Sequence, residues 1–159
     1  TKTELARVAL LRARLIRGGP ERRRALNEGL DALAAARSAL GPEGRAFTLA
    51  GMDAVEAELL TELGLLGDAA ALDRADALVR GAEKVITRQQ YPGQHARLAV
   101  TLGRVAEARY RRLGDIESVR SARVEVRNAL EETPPDVDPR LHGLLNDLAK
   151  RLSVPGGIG

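Results

Sequence analysis

Residues 101–139 read TLGRVAEARYRRLGDIESVRSARVEVRNALEETPPDVDP, and this stretch contains the signals that decide the fold. Apolar side chains recur at steps of three and four residues on both sides of Gly114-Asp115, as they do along one face of an α-helix. Glycine and aspartate between two such patterns indicate a turn. Asp138 followed by Pro139 predicts a new helix start, because aspartate caps free amides and proline lacks only an N–H that the first helical turn does not use.

Similar signals divide the whole chain into seven predicted helices. In the first helix, for example, the recurring apolar residues are Leu5, Val8, Leu11 and Leu15. No stretch combines two-residue alternation with β-branched enrichment, so we expect no β-sheet. The predicted helices lie at about 3–17, 21–40, 45–66, 69–90, 94–113, 116–133 and 139–152. We therefore predict an all-α protein.

The helices repeat along the chain. The turn at Gly114-Asp115 has a counterpart at Gly67-Asp68, 47 residues earlier, and the apolar positions on both sides of the turn correspond. The pairs are Val55 and Leu102, Leu59 and Ala106, Leu63 and Tyr110, Leu66 and Leu113, Leu72 and Val119, Ala75 and Ala122, Val79 and Val126, and Ala82 and Ala129. Paired helices with a period of 20–50 residues indicate an α-solenoid. We predict one domain over 1–159, with hairpins at about 3–40, 45–90 and 94–133 and a terminal helix at 139–152.

The third hairpin resembles a tetratricopeptide (TPR) repeat of the long bacterial type. The residues that carry the likeness are Thr101, Leu102, Gly103, Ala106, Tyr110, Gly114, Asp115, Ala122, Ala129, Leu130, Pro134, Pro135, Asp138 and Pro139. The pattern is similar to TPR-like arrays of actinobacterial multidomain signalling proteins, including those that precede caspase-like CHAT protease domains. The likeness is good over 94–152, fair over 45–90 and weak over 1–40. Two departures are the period of 47 and Glu56, which stands where the family prefers a small residue.

The resemblance implies a protein–protein interaction module that binds a peptide or a partner protein on a concave groove. The groove residues that it implies are Arg97, Val100, Arg104, Glu107 and Arg111, with Lys150 extending the basic end. Independently of the family, Arg97, Arg104 and Arg111 are seven residues apart and therefore share a helix face. Three guanidinium groups suit an acidic peptide, because arginine binds carboxylates in a bidentate manner. The alternative is an ordinary solvated face of an arginine-rich protein.

Charge alone does not indicate a nucleic-acid-binding protein. The net charge of +3 is divided into +5 over 1–45, −6 over 46–83 and +4 over 84–159, and the chain has only three aromatic residues. Nucleic-acid binding favours a one-sided basic field or aromatic stacking platforms. A regulatory helical domain with nucleic-acid contacts is still an alternative function. Its phosphate contacts would be Arg22, Arg23, Arg24, Arg109, Arg111 and Arg112.

Signatures of enzymes and cofactors are sparse. The chain has no cysteine, which excludes disulfides, cysteine-ligated metals and thiol nucleophiles. Neither His95 nor His142 has a second ligand at a suitable spacing. The predicted third helix contains an acidic cluster with no histidine or nucleophile nearby: Asp53, Glu56, Glu58 and Glu62. We expect no titratable group on a core face. We expect no enzymatic activity, no cofactor and no metal.

The ends of the chain lead to three further expectations. No apolar run approaches the roughly 20 residues that span a bilayer, and no signal-peptide pattern is present, so we expect a cytoplasmic protein without membrane contact. Because the first residue is not methionine, we expect a segment of a larger bacterial protein. The last helix contains five leucines that would support self-association if they were all exposed. They are Leu141, Leu144, Leu145, Leu148 and Leu152.

Overall fold

The structure, a computed structural model, describes residues 2–41 and 45–153. These residues form seven α-helices and no β-strand, which confirms the all-α prediction. The helices are α1 (Lys2–Leu15), α2 (Gly19–Leu40), α3 (Ala46–Leu65), α4 (Ala69–Glu83), α5 (Pro92–Leu113), α6 (Ile116–Glu131) and α7 (Pro139–Arg151).

The largest boundary error is at the end of α4, which stops at Glu83 and not near residue 90. Three consecutive β-branched residues, Val85 to Thr87, follow the helix and disfavour its continuation. A turn replaces the predicted helical residues. In this turn the Thr87 hydroxyl accepts a hydrogen bond from the Gln90 N–H at 3.3 Å, and the Thr87 carbonyl accepts one from Tyr91 at 2.8 Å.

The chain divides into two compact units, Thr1–Val85 and Ile86–Gly159. In the first unit, α1 packs against α2 and α3 packs against α4, with further contacts from α3 to α1 and to α2. In the second unit, each of α5, α6 and α7 contacts the other two. That the two units form one domain, with their helices arranged as a solenoid, stays a prediction.

The 47-residue repeat correctly identifies the buried positions of α4 and α6. All eight residues predicted to correspond are at most 4% exposed: Leu72, Ala75, Val79, Ala82, Val119, Ala122, Val126 and Ala129. The agreement is weaker near the end of α5, where Tyr110 is half-buried and Leu113 is exposed. The second helix of each repeat therefore preserves its core face more closely than the first.

The two Leu-Gly-Asp turns also share their local geometry. Gly67 and Gly114 have φ values of +116° and +70°, a region that favours glycine because it has no Cβ. Asp68 caps α4 by accepting a hydrogen bond from the Ala71 N–H, and Asp115 caps α6 in the same way from Ser118, both at 3.2 Å. These caps stabilise the start of the second helix in each pair.

The first apolar pattern lies on a helix, as predicted, but its side chains face away from the core. The face of α1 that is buried is formed by the smaller set Ala6, Leu10 and Ala13. The larger residues of the predicted pattern are all exposed: Leu5, Val8, Leu11 and Leu15. The first helix therefore has apolar side chains on two faces, of which only one is covered within the chain.

Candidate binding surface

The predicted basic stripe of α5 reaches the surface at both ends. Arg97 and Arg111 are exposed, and Arg104 between them is half-buried. Nη2 of Arg97 lies 3.9 Å from Oδ2 of Asp138, and the Arg97 side chain is 66% exposed. An exposed ion pair of this length contributes little stability, so the Arg97 guanidinium can reorient toward a ligand at small cost.

The other residues implied for the groove differ in their surroundings. Val100 is only 6% exposed, so its side chain belongs to the core and does not line an open surface. Glu107 accepts a hydrogen bond from Nε of Arg151 at 2.9 Å, which ties α5 to α7. Lys150 is exposed beside Arg151. The sequence alone does not indicate Arg151 as the partner of Glu107, because the two residues lie on different helices and meet only through helix packing.

An open pocket of about 320 Å³ lies at the Arg97 end of this surface, between α5 and α7. Its lining residues are Arg97, Asp138, Arg140, Leu141 and Leu144. The pocket thus combines two guanidinium groups, one carboxylate and two leucines. Such a combination can accommodate a ligand that presents an anionic group next to an apolar one.

The first turn of α7 positions one wall of the pocket. The Asp138 carboxylate accepts a hydrogen bond from the Leu141 N–H at 3.0 Å, and Pro139 occupies the first turn, as the sequence predicted. Nδ1 of His142 lies 2.7 Å from the carbonyl oxygen of Thr133, which can only accept, so Nδ1 carries the proton. These contacts hold Arg140 and Leu141 in place, and they assign His142 a structural role.

The leucines of α7 mostly belong to the core of the second unit. Leu141, Leu145, Leu148 and Leu152 are buried, and only Leu144 is exposed, at 38%. The condition for self-association, that all five leucines of α7 are exposed, is therefore not met: four of them are buried on a helix that contacts both α5 and α6. The four buried leucines are not available for self-association through this helix.

The acidic cluster of α3 corrects the expectation that no titratable group lies on a core face. Glu58 and Glu62 are each only 9% exposed. Arg14 of α1 bridges them, with Nη2 2.7 Å from Glu58 and Nε 3.2 Å from Glu62. Arg22 of α2 donates a further hydrogen bond to Glu62 at 2.5 Å. These four side chains, which we call the buried ion cluster, connect α1 and α2 to α3.

The other two acids of α3 are also paired. Nη2 of Arg37 donates to Asp53 at 2.6 Å and to Glu56 at 2.9 Å, which connects the end of α2 to α3. A second open pocket, of about 370 Å³, lies beside these carboxylates and Arg74. Arg74 in turn lies 3.8 Å from Glu56. Two carboxylates and one guanidinium line this pocket, a formal charge of −1. Both carboxylates already accept hydrogen bonds from Arg37, so little charge is left with which to select a ligand.

Several cations of the nucleic-acid alternative contact the chain itself. Arg22 belongs to the buried ion cluster, and Arg23 donates to the Leu66 carbonyl at 3.2 Å. Arg109, with a side chain only 16% exposed, pairs with Asp115 at 2.9 Å. The arginine triplet at the start of α2 is thus partly a structural feature, because two of its members hold the second helix against the third.

Asp115 is the titratable group whose pKa is changed most clearly by its surroundings. Its carboxylate accepts a hydrogen bond from the Ser118 hydroxyl at 2.7 Å, one from the Ser118 N–H, and two from Arg109. The Ser118 hydroxyl contributes most to lowering the pKa of Asp115, the Ser118 N–H and the charged Arg109 lower it further, and partial burial opposes them. The cap of α6 is therefore stronger when Asp115 is ionised.

The described ranges 2–41 and 45–153 contain neither a candidate metal site nor a helix that could span a membrane. No group of three or more histidine, aspartate or glutamate side chains in these ranges could hold a metal ion. None of the helices there combines the length and hydropathy that crossing a lipid bilayer requires.

The chain matches no protein-family model, no curated protein and no solved structure. The TPR resemblance therefore stays a prediction based on the residues that carry it.

Proposed function

We propose that this chain is a TPR-like interaction module of a larger bacterial cytoplasmic protein, without enzymatic activity of its own. Two sets of contacts support the repeat arrangement. The first helices of successive pairs meet within each unit, α1 with α3 and α5 with α7, as stacking of hairpins requires. The shared Leu-Gly-Asp turns support it as well, because in both a glycine with positive φ follows the first helix and an aspartate caps the second.

The proposed ligand is an acidic peptide that docks on α5 and α7 of the second unit. The observation that carries this proposal is the pocket of about 320 Å³ beside Arg97, where Arg97 and Arg140 flank Leu141 and Leu144. A carboxylate of the peptide would bind the two guanidinium groups, and a neighbouring apolar side chain would contact Leu144. Arg104 and Arg111 continue the basic surface along α5, and Lys150 along α7.

The proposal is tested by fluorescence anisotropy with labelled peptides in which glutamate and leucine alternate. Reversing the charge of both pocket arginines, Arg97→Glu with Arg140→Glu, should weaken binding at least about tenfold, since each substitution removes an attractive contact and introduces a repulsive one. The matched control is Arg24→Glu with Arg120→Glu, two exposed arginines outside the proposed surface that change the net charge equally. The control should bind the peptide within about twofold of the original protein, because at moderate salt distant exposed charges are screened.

Two results would count against this function. If both double variants lose affinity equally, the peptide responds to overall charge and not to the pocket. If the original protein binds neither the acidic peptide nor a length-matched peptide with glutamine in place of glutamate, the surface is an ordinary solvated face. Circular dichroism of each variant establishes that the helices are retained.

A further inference from the structure

The outward face of α1 is the most extensive uncovered apolar surface on a single helix in the described part of the chain. Leu5, Val8, Leu11 and Leu15 are exposed by 60%, 58%, 59% and 84%. Their spacing of three, three and four residues places them on one side of the helix, opposite the buried Ala6, Leu10 and Ala13. Isolated exposed leucines are common on protein surfaces, but an aligned stripe of four marks an interaction surface.

The charges beside this stripe are arranged symmetrically about Val8. Glu4 precedes Val8 by four residues, and Arg12 follows it by four. Leu5 and Leu11 lie three residues to either side of Val8, and Leu15 lies outside this symmetric part of the stripe. Both charged residues are exposed, and Glu4 already pairs with Arg7 of its own helix at 3.0 Å, as an exposed and therefore weak pair.

We propose that this stripe, which we call the α1 stripe, binds the α1 stripe of a second copy of the chain in an antiparallel dimer. A two-fold axis through Val8 brings Leu5 of one copy level with Leu11 of the other. The same axis brings Glu4 of each copy level with Arg12 of the other, so the dimer contains two ion pairs between oppositely charged residues. In a parallel pairing, Glu4 would instead meet Glu4 and Arg12 would meet Arg12, and both contacts would be repulsive.

The dimer should be weak and concentration-dependent. One face of a short helix covers less than the roughly 800 Å² per partner found in standard stable interfaces. We therefore expect a dissociation constant on the order of 10⁻⁴ M. At low concentration the chain is then a monomer with the α1 stripe exposed.

The absence of cysteine allows a direct test with a single introduced thiol. In Val8→Cys the thiols of two copies meet at the two-fold axis, so mild oxidation at about 200 μM protein should yield a disulfide-linked dimer. The matched control is Val124→Cys, because Val124 is equally exposed at 59% but lies on α6 of the other unit. We expect cross-linking to be at least about tenfold faster at position 8 than at position 124. Equal rates would overturn the proposal.

A charge exchange tests the antiparallel orientation by sedimentation equilibrium. Glu4→Arg alone and Arg12→Glu alone should each weaken the dimer about three- to tenfold, because each leaves like charges facing each other. The double variant Glu4→Arg with Arg12→Glu should recover most of the original affinity. Weakening without recovery in the double variant would overturn the antiparallel pairing, and a strictly monomeric original protein at 500 μM would overturn the dimer itself.

Measurements of helicity and of peptide binding distinguish a variant that has lost only the dimer interface from one that has misfolded. All of these substitutions are at exposed positions of α1 or α6, so the circular dichroism of each variant should match that of the original protein. The peptide surface lies in the second unit, so the acidic-peptide affinity of the α1 variants should also be unchanged. Loss of helicity in Glu4→Arg with Arg12→Glu would count against the exposed position of α1 on which the dimer depends.

Discussion

Helices α3 and α5 occupy equivalent places in the 47-residue repeat, yet they use charge in opposite ways. The acids of α3 are buried or half-buried and accept hydrogen bonds from arginines of α1 and α2. The basic stripe of α5 is half-buried only at Arg104 and is exposed at both ends. The comparison shows that the repeat keeps most packing positions while the use of charge changes. The acids of α3 hold helices together, whereas on α5 Glu107 and Arg109 make such contacts and the arginine stripe reaches the surface.

The largest expected effect on stability comes from replacing Arg14, the cation that bridges Glu58 and Glu62. We expect Arg14→Met to lower the free energy of unfolding by about 2–3 kcal/mol, because two nearly buried carboxylates lose their shared counter-charge. The measurement is urea denaturation followed by circular dichroism at 222 nm. The expected cost is below that of a fully buried pair because the Arg14 side chain is 29% exposed.

The matched control for Arg14 is Arg120→Met in the second unit. Arg120 pairs with Glu117 at 2.6 Å on an exposed face, and both side chains are more than half exposed. We expect this substitution to change the stability by less than about 0.5 kcal/mol. Similar costs for the two substitutions would mean that the buried ion cluster contributes no more than a surface pair.

A second test uses Gly103, the position of α5 that corresponds to Glu56 of α3. A Cβ at Gly103 would lie 2.3 Å from Cδ2 of Leu148 and 2.9 Å from its Cγ, so the buried Leu148 side chain would have to shift. We expect Gly103→Ala to cost about 1–2 kcal/mol through overpacking, despite the better helix propensity of alanine. Gly143→Ala on α7 is the control, because a Cβ there meets nothing within 4 Å. The control should stabilise the protein by a few tenths of a kcal/mol up to about 1 kcal/mol; a gain at both sites would show that α5 and α7 do not approach closely at Gly103.

The smallest expected effect is the difference in stability cost between replacing the two capping aspartates, Asp68 and Asp115. Asp68→Ala and Asp115→Ala should each cost about 1 kcal/mol at pH 7, with the larger loss at Asp115 because Arg109 and the Ser118 hydroxyl also bind that carboxylate. The lowered pKa of Asp115 means that its contribution is complete above its ordinary value near 4 and is lost as the pH falls through the folded-state value. The stability difference between Asp115→Ala and the original protein should therefore stay constant from pH 7 to about pH 5 and shrink in stronger acid.

Features that depend on local sequence were predictable. The Gly-Asp turns, the Asp138 cap and the buried faces of α4 and α6 follow from residues within one helix and its end, and the structure confirms them. The early end of α4 was also readable in principle, since three consecutive β-branched residues follow Lys84. Tyr91-Pro92, a few residues later, is the more conspicuous stop signal and places the predicted end of the helix too late.

Features that depend on packing between helices could not be read in the same way. The partners of Glu58 and Glu62 lie 40 to 48 residues away along the chain, so burial of the acidic cluster requires knowledge of which helix faces meet. The same limitation applies to α1, where the larger apolar residues lie outside and alanines lie inside, because α1 approaches α2 and α3 closely. For the candidate surface, the sequence identified Arg97 but not Arg140 or Leu144, which lie on a different helix and join it only in three dimensions.

The buried ion cluster restricts the order in which related sequences can diverge at these positions. If a glutamate is replaced first, Arg14 and Arg22 can extend their long side chains into water, and the loss is moderate. If an arginine is replaced first, a short and nearly buried carboxylate is left behind, which is more damaging. We therefore expect homologous sequences to include forms that have lost the acids but kept the arginines, while the reverse combination should be rare.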